Sequence, residues 1–344
     1  MAGLTSAFFE LVSLFASLQA QRRDPKILIA SFAQLLNSRL HALSHTFAEN
    51  EDGFVLTVNG RSIEFRKSDS SFQVKPNAWL RRQHSDNSIH EPGLVATLDL
   101  LGEMIDRKVI FYDVGALFGY FSLLALQMFK DVTCVAVEGN PYSSRCIREI
   151  SQEPHSLEIM NVVLGKEQSQ DRYLIDGFHF IPESSMLGRR KALSARIKNA
   201  GKQFANMFGG NSETHNLESH AIETRALPSL FRHNTTDALE IYKFDTEGYQ
   251  AVFLPPFIDE LCDRRPIVLL ETDAPDKMAR FGSSNDALLQ MFLKRGYQAV
   301  WMDHRNGGDA EVVSAILPEH DKNALCVLLP DELIAGLVSQ VAAA

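Results

Sequence analysis

The chain has 344 residues and a formal net charge of −9 at pH 7. This acidic balance argues against a nucleic-acid partner, because general affinity for nucleic acids depends on a basic surface. Its 45% hydrophobic and 22% charged residues are typical of a globular protein with a sizeable core, and the length favours one large domain plus an appendage.

Residues 1–90 are predicted to form the appendage, which serves in oligomerisation or covers a substrate. Two helices open it. The first, over residues 4–20, has helical spacing, and Glu10 and the lack of a preceding basic region disfavour a signal peptide. The second presents one apolar face, formed by Ile29, Phe32, Leu36, Leu40, Leu43 and Phe47.

A β-hairpin is predicted next, over residues 53–66. Its Asn59-Gly60 dipeptide is the favoured two-residue turn. This turn places two apolar pairs on one face, Phe54 with Phe65 and Leu56 with Ile63. A polar stretch then leads to the main domain, predicted over residues 91–344.

From about residue 95 the sequence alternates strands with helices, which predicts an α/β fold with a mostly parallel sheet and helices on both faces. Strands are predicted at 109–114, 132–138, 157–163, 240–246, 266–272, 297–302 and 324–329. The gap over 166–239 breaks this rhythm and predicts an insertion that covers the site. Residues 109–126 are apolar enough to suggest a membrane span, but their internal glycines favour a strand, turn and helix, so we expect no transmembrane segment.

The first predicted strand ends in Asp113 and Gly115, and a helix begins after Gly119. Leu117 stands where a dinucleotide-binding fold has its second glycine, which disfavours a pyrophosphate ligand. A nucleoside ligand without pyrophosphate, such as S-adenosylmethionine (SAM), tolerates this residue, and Asp113 would lie near its ammonium group. An ordinary strand-to-helix turn without a ligand is the alternative.

Glu138 ends the second predicted strand, 23 residues after Gly115. A carboxylate at this position can accept hydrogen bonds from both hydroxyls of a ribose. The alternative is a solvated carboxylate at a strand end. Asn140 follows directly, and Pro141 then begins a helix at a position that tolerates proline.

The segment IYKFDTEGYQ places Lys243, Asp245 and Glu247 on one side of a strand, provided that the strand continues regularly that far. The carboxyl ends of parallel strands face the ligand crevice, so these side chains are expected at the reacting centre. Glu271 and Asp273 end the next strand. Carboxylates on two such ends could hold a divalent cation, although solvated strand ends and a structural Lys-Asp pair are the simpler alternatives.

Together, DVGALFGYFSLLAL, VAVEGNP, NVVLG, ESSML and YKFDTEGYQ resemble FkbM-type methyltransferases in order and spacing, over roughly residues 109–275. The resemblance implies a Rossmann-like class I fold with seven strands, the last antiparallel, and SAM as the cofactor. Leu117 replaces the asparagine of the family's usual DVGAN-x-G signature. The implied cofactor-binding residues are Asp113, Gly115, Ala116, Phe118, Gly119, Ser122, Glu138, Asn140, Asn161 and Val162.

The resemblance also implies O-methylation of a sugar, glycan or natural product. The residues from Asp245 to Gly248 match the family's motif beside the transferred methyl group. Because an alcohol is a poor nucleophile until its proton leaves, Asp245 is the first candidate for the base or a metal ligand, and Glu247 the second. Lys243 would orient them or lower the pKa of the substrate. The sequence leaves dependence on a divalent metal open.

Residues 186–210 contain six basic residues and no acidic one, with apolar residues at helical spacing. This predicts a basic amphipathic helix. It would act as a lid for an anionic substrate, as a contact with a membrane carrying a lipid-linked glycan, or as a packed helix with a solvated face. We expect a cytoplasmic protein, at most peripheral at the membrane surface.

Histidines and cysteines show no ligand spacing, so no metal site is assigned to them. The four cysteines are expected to be buried, reduced thiols. We expect the following histidines to be exposed or hydrogen-bonded: His84, His90, His155, His179, His215, His220, His233 and His304. Of these, His179 and His215 could serve as a base because they lie at or in the insertion.

Two other functions remain open. A nicotinamide-dependent sugar oxidoreductase is also α/β, but Leu117 and the lack of a Tyr-x-x-x-Lys pair disfavour it. A non-catalytic relative would keep the fold as a scaffold in glycan assembly. The apolar N-terminal helices would also allow a homo-oligomer.

Overall fold

The computed structural model describes residues 24–68, 74–151, 155–176, 179–182, 218–231 and 237–343. Two predicted helices, over residues 4–20 and 186–210, lie outside these ranges. So do His215 and His233, and the roles predicted for all of these segments stay predictions.

Helix α1 (Pro25–His41) begins after Asp24, whose carboxylate accepts a hydrogen bond from the backbone N–H of Lys26. Strands β1 (His45–Glu49), β2 (Gly53–Val58) and β3 (Arg61–Arg66) then form an antiparallel sheet. The predicted hairpin is confirmed, since Phe54 pairs with Phe65 and Leu56 with Ile63.

The prediction that the second helix extends to Phe47 is wrong. Helix α1 ends at His41, and Phe47 lies in β1, opposite Leu56 of β2. Leu43 lies between the two elements. Both side chains still pack against the hydrophobic core, so their apolar character is explained by the sheet rather than by a helix face.

Helices α2 (Pro76–Gln83) and α3 (Pro92–Met104) connect this small sheet to the main one. Asp99 of α3 is fully buried and ties the segments together. Its carboxylate lies 3.1 Å from Nη1 of Arg39, accepts a hydrogen bond of 2.7 Å from Asn59, and pairs with Arg61. The residues of α1 and α3 belong to the same core cluster as one face of the main sheet, and the domain boundary at residue 90 stays a prediction.

The remaining strands are β4 (Val109–Val114), β5 (Val132–Val137), β6 (Leu157–Met160), β7 (Val163–Gly165), β8 (Ser169–Asp176), β9 (His179–Pro182), β10 (Glu218–Ala226), β11 (Leu239–Phe244), β12 (Ile267–Thr272), β13 (Tyr297–Met302), β14 (Glu311–Val313) and β15 (Ala324–Pro330). The remaining helices are α4 (Tyr120–Met128), α5 (Pro141–Ser151), α6 (Gln250–Phe253), α7 (Ile258–Asp263), α8 (Pro275–Ala279), α9 (Asn285–Leu293) and α10 (Asp331–Ala343).

The main sheet has eight strands in the order β14-β13-β15-β12-β11-β4-β5-β6. The five from β12 to β6 are parallel, and β15 runs antiparallel to both neighbours. Every residue of β4, β11 and β12 is buried, as expected for strands covered on both faces. All seven predicted strands are present, and the short β14 adds an unpredicted eighth at the edge.

The described part of the predicted insertion contributes to a second sheet, in the order β7-β10-β8-β9. Strand β10 pairs in parallel with β7 and antiparallel with β8. Its covering of the site stays a prediction.

The apolar stretch 109–126 forms β4, a turn and most of α4, as predicted. Within the described ranges, no helix has the length and apolarity needed to cross a membrane. All four cysteines lie among the described residues, are buried and form no disulfide bond there, as predicted for buried thiols.

Candidate active site

The ammonium group of Lys243 lies at the centre of the site, near the carboxyl end of β11. Lys243 stands opposite Asp113 in the parallel pairing of β11 with β4. Its Nζ lies 3.2 Å from Oδ1 of Asp113 and 3.2 Å from Oδ2 of Asp245, and the lysine side chain is 4% exposed. One buried cation therefore joins two of the predicted site carboxylates.

Lys243, Asp113 and Asp245 form a triad in which opposite charges stabilise the ionised forms of Lys243 and Asp245. Burial opposes the charged form of Lys243, but the carboxylates of Asp113 and Asp245 outweigh it and raise the pKa of the lysine. Burial also opposes the charged form of Asp245 and would raise its pKa, but the Lys243 ammonium holds the pKa of Asp245 well below its ordinary value. Lys243 and Asp245 are therefore both charged at neutral pH.

The turn after β4 depends on left-handed backbone conformations. Gly115 has φ +82°, and its N–H donates a 2.9 Å hydrogen bond to the carbonyl of Val137. Leu117 has φ +51°, a region that an asparagine or glycine adopts more readily than leucine. Its backbone N–H points at the next strand end, where it meets Glu138.

Glu138 is held by two backbone groups. Its carboxylate accepts hydrogen bonds of 2.8 Å from the N–H of Leu117 and 2.7 Å from the N–H of Asn140. Burial raises the pKa of Glu138 to about 7, although these two hydrogen bonds act in the opposite direction. Asn161 donates to the backbone carbonyls of Glu138 and Gly139, at 2.8 and 3.0 Å, and so positions this strand end.

The other predicted cofactor-binding residues support the turn from within. Ser122 is buried and donates a 2.8 Å hydrogen bond to Oδ2 of Asp113. The side chain of Asn140 accepts a hydrogen bond from the N–H of Tyr142. Three more have side chains buried in the hydrophobic core, so their backbone is what they offer a ligand: Ala116, Phe118 and Val162. Gly119 precedes α4 with φ +73°.

The expectation that Glu247 shares a face with Lys243 and Asp245 is wrong. Strand β11 ends at Phe244, and Glu247 lies in the following turn with φ +55°. Its side chain is 67% exposed and pairs with Lys277. A catalytic role for Glu247 stays a prediction that this geometry does not favour.

Sequence reasoning missed three charged residues of the site. Glu91 precedes α3, and His304 and Arg305 follow β13. Nε2 of His304 lies 3.2 Å from Oε2 of Glu91, and Nη2 of Arg305 lies 3.3 Å from Oε1 of Glu91 and 2.7 Å from Oε1 of Glu271. The only sequence signal for these three residues is that each is a charged or polar residue next to an apolar helix or strand. This criterion was applied only to the strands that carry motifs.

His304 contradicts the expectation that it is exposed or fully hydrogen-bonded. It is 1% exposed. Among the residues that the structure describes, its Nδ1 has no hydrogen-bond partner. A buried imidazole nitrogen without a partner is rare enough to need a reason.

A small cavity of about 10 Å³ is lined both by the Lys243–Asp245 pair and by the cluster of Glu91, Glu271 and His304. This is about the space that one water molecule requires. Its polar lining consists of Glu91, Lys243, Asp245, Glu271 and His304. Burial and the neighbouring charge of Asp245 raise the pKa of Glu271 well above its ordinary value, so Glu271 tends to keep its proton.

Possible metal ligands lie in the same cluster. Ligand atoms of Glu91, Glu271 and His304 lie within 4.8 Å of one another. However, the guanidinium of Arg305 already bridges the two carboxylates. A cation is therefore in place at this position, which disfavours an additional divalent ion.

These residues fit SAM, on three observations. The turn after β4 is held close to the sheet by Gly115, and Glu138 stands at the end of the next strand, where a ribose would meet its carboxylate. Asp113 and Asp245 outnumber the single ammonium of Lys243, which leaves excess negative charge for a sulfonium. A mostly parallel sheet in this strand order, with helices on both faces, is the fold of class I methyltransferases.

Comparison with known proteins identifies the family. The sequence profile described as "Methyltransferase FkbM domain" matches residues 113–299, and the chain belongs to this family. The family and the fold support SAM-dependent methylation. No curated protein matches this chain significantly.

Solved structures with similar folds include an FkbM methyltransferase from Methylobacillus flagellatus, with 12% identity and a TM-score of 0.36. That match covers 64% of this chain and 43% of the other, so the chain spans less than half of that protein. The O-methyltransferase TomG from Streptomyces achromogenes, in complex with SAM, has 12% identity and a TM-score of 0.34, covering 74% and 86% of the two chains. An O-methyltransferase from Bacillus cereus has 10% identity and a TM-score of 0.32, covering 69% and 81%.

Proposed function

We propose that the protein is a SAM-dependent O-methyltransferase that acts on a hydroxyl group of a sugar, glycan or natural product. The observation that carries this proposal is the buried bridge of Lys243 between Asp113 and Asp245. It places an ionised carboxylate beside a small cavity lined in part by charged side chains, at the end of the sheet where the turn after β4 lies.

Each part of the site has a defined task. The carboxylate of Glu138 accepts the ribose hydroxyls, and the turn at Gly115 lets the ligand approach the backbone. SAM supplies an activated methyl group when bound. Asp245 accepts a hydrogen bond from the acceptor hydroxyl and orients its oxygen, because positioning at near-attack distance supplies much of the rate of such a displacement.

The remaining expectations about partners are part of the same proposal. The acceptor is a small molecule or a glycan, and the basic segment 186–210 supports an anionic or lipid-linked one. The N-terminal segment, residues 1–90, covers the acceptor or joins two copies of the chain. The protein works in the cytoplasm, at or near the membrane surface.

Cofactor choice is tested by calorimetric titration of the full chain with S-adenosylhomocysteine (SAH) and, separately, with NAD. We expect binding of SAH and none of NAD. Binding of NAD instead would favour the oxidoreductase.

Activity is tested with methyl-labelled SAM and a panel of methyl glycosides, sugar nucleotides and bacterial glycan extracts. We expect label in an ether-linked methyl group, and Asp245→Asn should retain SAH binding but lose turnover. Parental turnover in Asp245→Asn would exclude a catalytic role for this carboxylate. SAH binding without label transfer to any acceptor would favour a scaffold.

A further inference from the structure

His304 and Glu91 form a buried pair, and neither residue belongs to the motif segments. Glu91 precedes α3, and His304 follows β13. Nε2 of His304 lies 3.2 Å from Oε2 of Glu91, and the two side chains are 2% and 3% exposed. The carboxylate fixes the ring, because a neutral imidazole with Nε2 beside a carboxylate carries its proton on Nε2. Nδ1 is then the unprotonated nitrogen.

The free nitrogen belongs to a residue that lines the reacting cavity. His304 shares this cavity with Asp245, Glu271 and Lys243. Within the described part of the chain, Nδ1 of His304 is buried and accepts no hydrogen bond. A base oriented by a third group, with its second nitrogen left unpaired, is the arrangement that general-base catalysis requires.

Asp245 is a poor base by comparison. The Lys243 ammonium, 3.2 Å away, keeps the pKa of Asp245 well below its ordinary value, so this carboxylate holds a proton weakly. Burial and the charge of Asp245 raise the pKa of Glu271 well above its ordinary value, which disfavours it as the ionised base. General-base catalysis is most efficient when the base holds a proton near the operating pH, which an imidazole does better than an ion-paired carboxylate.

We propose that His304, oriented by Glu91, is the general base that removes the proton from the acceptor hydroxyl. This inference rests on the proposed O-methyl transfer and deepens it. With SAM bound, the acceptor oxygen would bond to the methyl carbon as the carbon–sulfur bond breaks and its electron pair stays on sulfur. The hydroxyl proton would pass to Nδ1 of His304 through the one water molecule for which the cavity has room. The site thereby exchanges the positive charge of a sulfonium for that of an imidazolium, beside the same carboxylates.

A divalent metal at Glu91, Glu271 and His304 is the competing use of these residues. Nη2 of Arg305 already contacts both carboxyl groups of this set, at 3.3 Å from Oε1 of Glu91 and 2.7 Å from Oε1 of Glu271, so the oxygens that a metal would need are in use. We therefore favour the base and let the experiment decide.

The charged and titratable groups that surround His304 come from every neighbouring element, and any pH profile reports on all of them. They are His90 and Glu91 before α3, Lys243 and Asp245 at β11, Glu271 at β12, and Asp303 and Arg305 in its own segment.

The first experiment requires no acceptor. The full chain is labelled with 15N-histidine, and the His304 signals are assigned by their loss in His304→Gln. We expect a proton on Nε2 and none on Nδ1, with and without SAH, and a mixture of tautomers in Glu91→Gln. A proton on Nδ1 in the parent protein would overturn the proposal.

The second experiment measures methyl transfer from labelled SAM to the best acceptor of the methyl glycoside panel. We expect His304→Gln to lower kcat by about 100-fold or more, with SAH affinity within about twofold of the parent. His320→Gln, which lies outside this cavity, should behave as the parent. An unchanged kcat in His304→Gln would refute the base assignment.

Metal binding gives a separate outcome. Activity should survive dialysis against EDTA, and titration with Mn²⁺ alone should show no tight site by electron paramagnetic resonance. A tight Mn²⁺ site that disappears in Glu91→Gln would replace the base with a metal centre. If no acceptor is methylated although SAH binds, the proposed function fails, and the tautomer measurement still decides the state of His304.

Discussion

A side chain on Gly115 would collide with the backbone of Asp245. A Cβ atom built on Gly115 lies 1.8 Å from the carbonyl oxygen of Asp245, and the N–H of Asp245 in turn donates to Val114. The turn after β4 and the carboxyl end of β11 are therefore in direct backbone contact. Any shift of one is transmitted to the other.

This contact can be separated from backbone strain with a matched pair of variants. Gly60 has φ +83° and nothing near its would-be Cβ, whereas Gly115 has φ +82° and the collision. Gly60→Ala should lower the free energy of unfolding by about 1–2 kcal/mol, the penalty of a left-handed residue. Gly115→Ala should lower it further and abolish SAH binding, as measured by urea denaturation and calorimetry. Equal losses of stability and parental SAH affinity would contradict the steric argument.

Lys243→Met should destabilise the protein by about 3–5 kcal/mol, because it leaves Asp113 and Asp245 as buried charges without a cation. The loss should be larger at pH 8 than at pH 5, because the variant lacks the ammonium that holds the pKa of Asp245 below its ordinary value against burial. Urea denaturation at both pH values tests this. Lys130→Met, which breaks an exposed pair with Asp106, serves as the control and should leave the midpoint unchanged. A similar midpoint for both variants would show that the buried triad is not stabilising.

Asp99→Asn should lower the free energy of unfolding by about 1.5–3 kcal/mol, the range for hydrogen bonds to charged groups. The substitution removes the charge that holds Arg39 and Arg61 while keeping the shape of the side chain. Limited proteolysis should then cut the segment before α3 sooner than in the parent. Asp106→Asn is the exposed control. Unchanged stability in Asp99→Asn would mean that apolar packing alone fixes α1 and the hairpin.

Glu138 gives a pH dependence of known sign. Burial raises its pKa from 4.5 to about 7, so its contribution to stability is complete below about pH 4.5 and is lost as the pH rises through about 7. The parent should therefore lose on the order of 1–3 kcal/mol over this window relative to Glu138→Gln. Thermal unfolding of both proteins from pH 4.5 to 8 measures the difference. Parallel curves would show that the carboxyl ionises as readily in the folded protein as in the unfolded chain.

Most of the fold could be predicted because its signals are local. Buried strands such as Val109–Val114 read as continuous apolar runs, and Asn59-Gly60 fixes both the turn and the pairing of the hairpin. Phe47 could not be placed in the same way, because a short apolar segment fits both the helical period of 3.6 residues and the strand period of two. Its pairing with Leu56 of β2 is a contact between separate segments, which the local pattern does not reveal. The edge strand β14 is too short to leave a pattern.

Site residues could be located in the sequence where they directly follow one strand. Those that reach the site through packing between distant segments were missed. Asp113, Glu138 and Asp245 follow apolar runs, so their position was visible in the sequence. The predicted position of Glu247 was wrong because β11 ends at Phe244, and the alternation of side chains does not reveal where a strand ends. His304 carries no motif, and only the meeting of the segment before α3 with the end of β13 brings it to Glu91.

The segment that matches the family profile does not contain all of the charged residues that line the cavity. The profile match runs from 113 to 299, whereas Glu91 precedes it and His304 follows it. The shared segment contains the turn after β4 and the strand end at Glu138, whereas the flanking segments contribute Glu91 and His304 to the cavity. On the proposed function, exchanging these flanks would alter the groups that meet the acceptor and leave the turn that meets the cofactor unaltered.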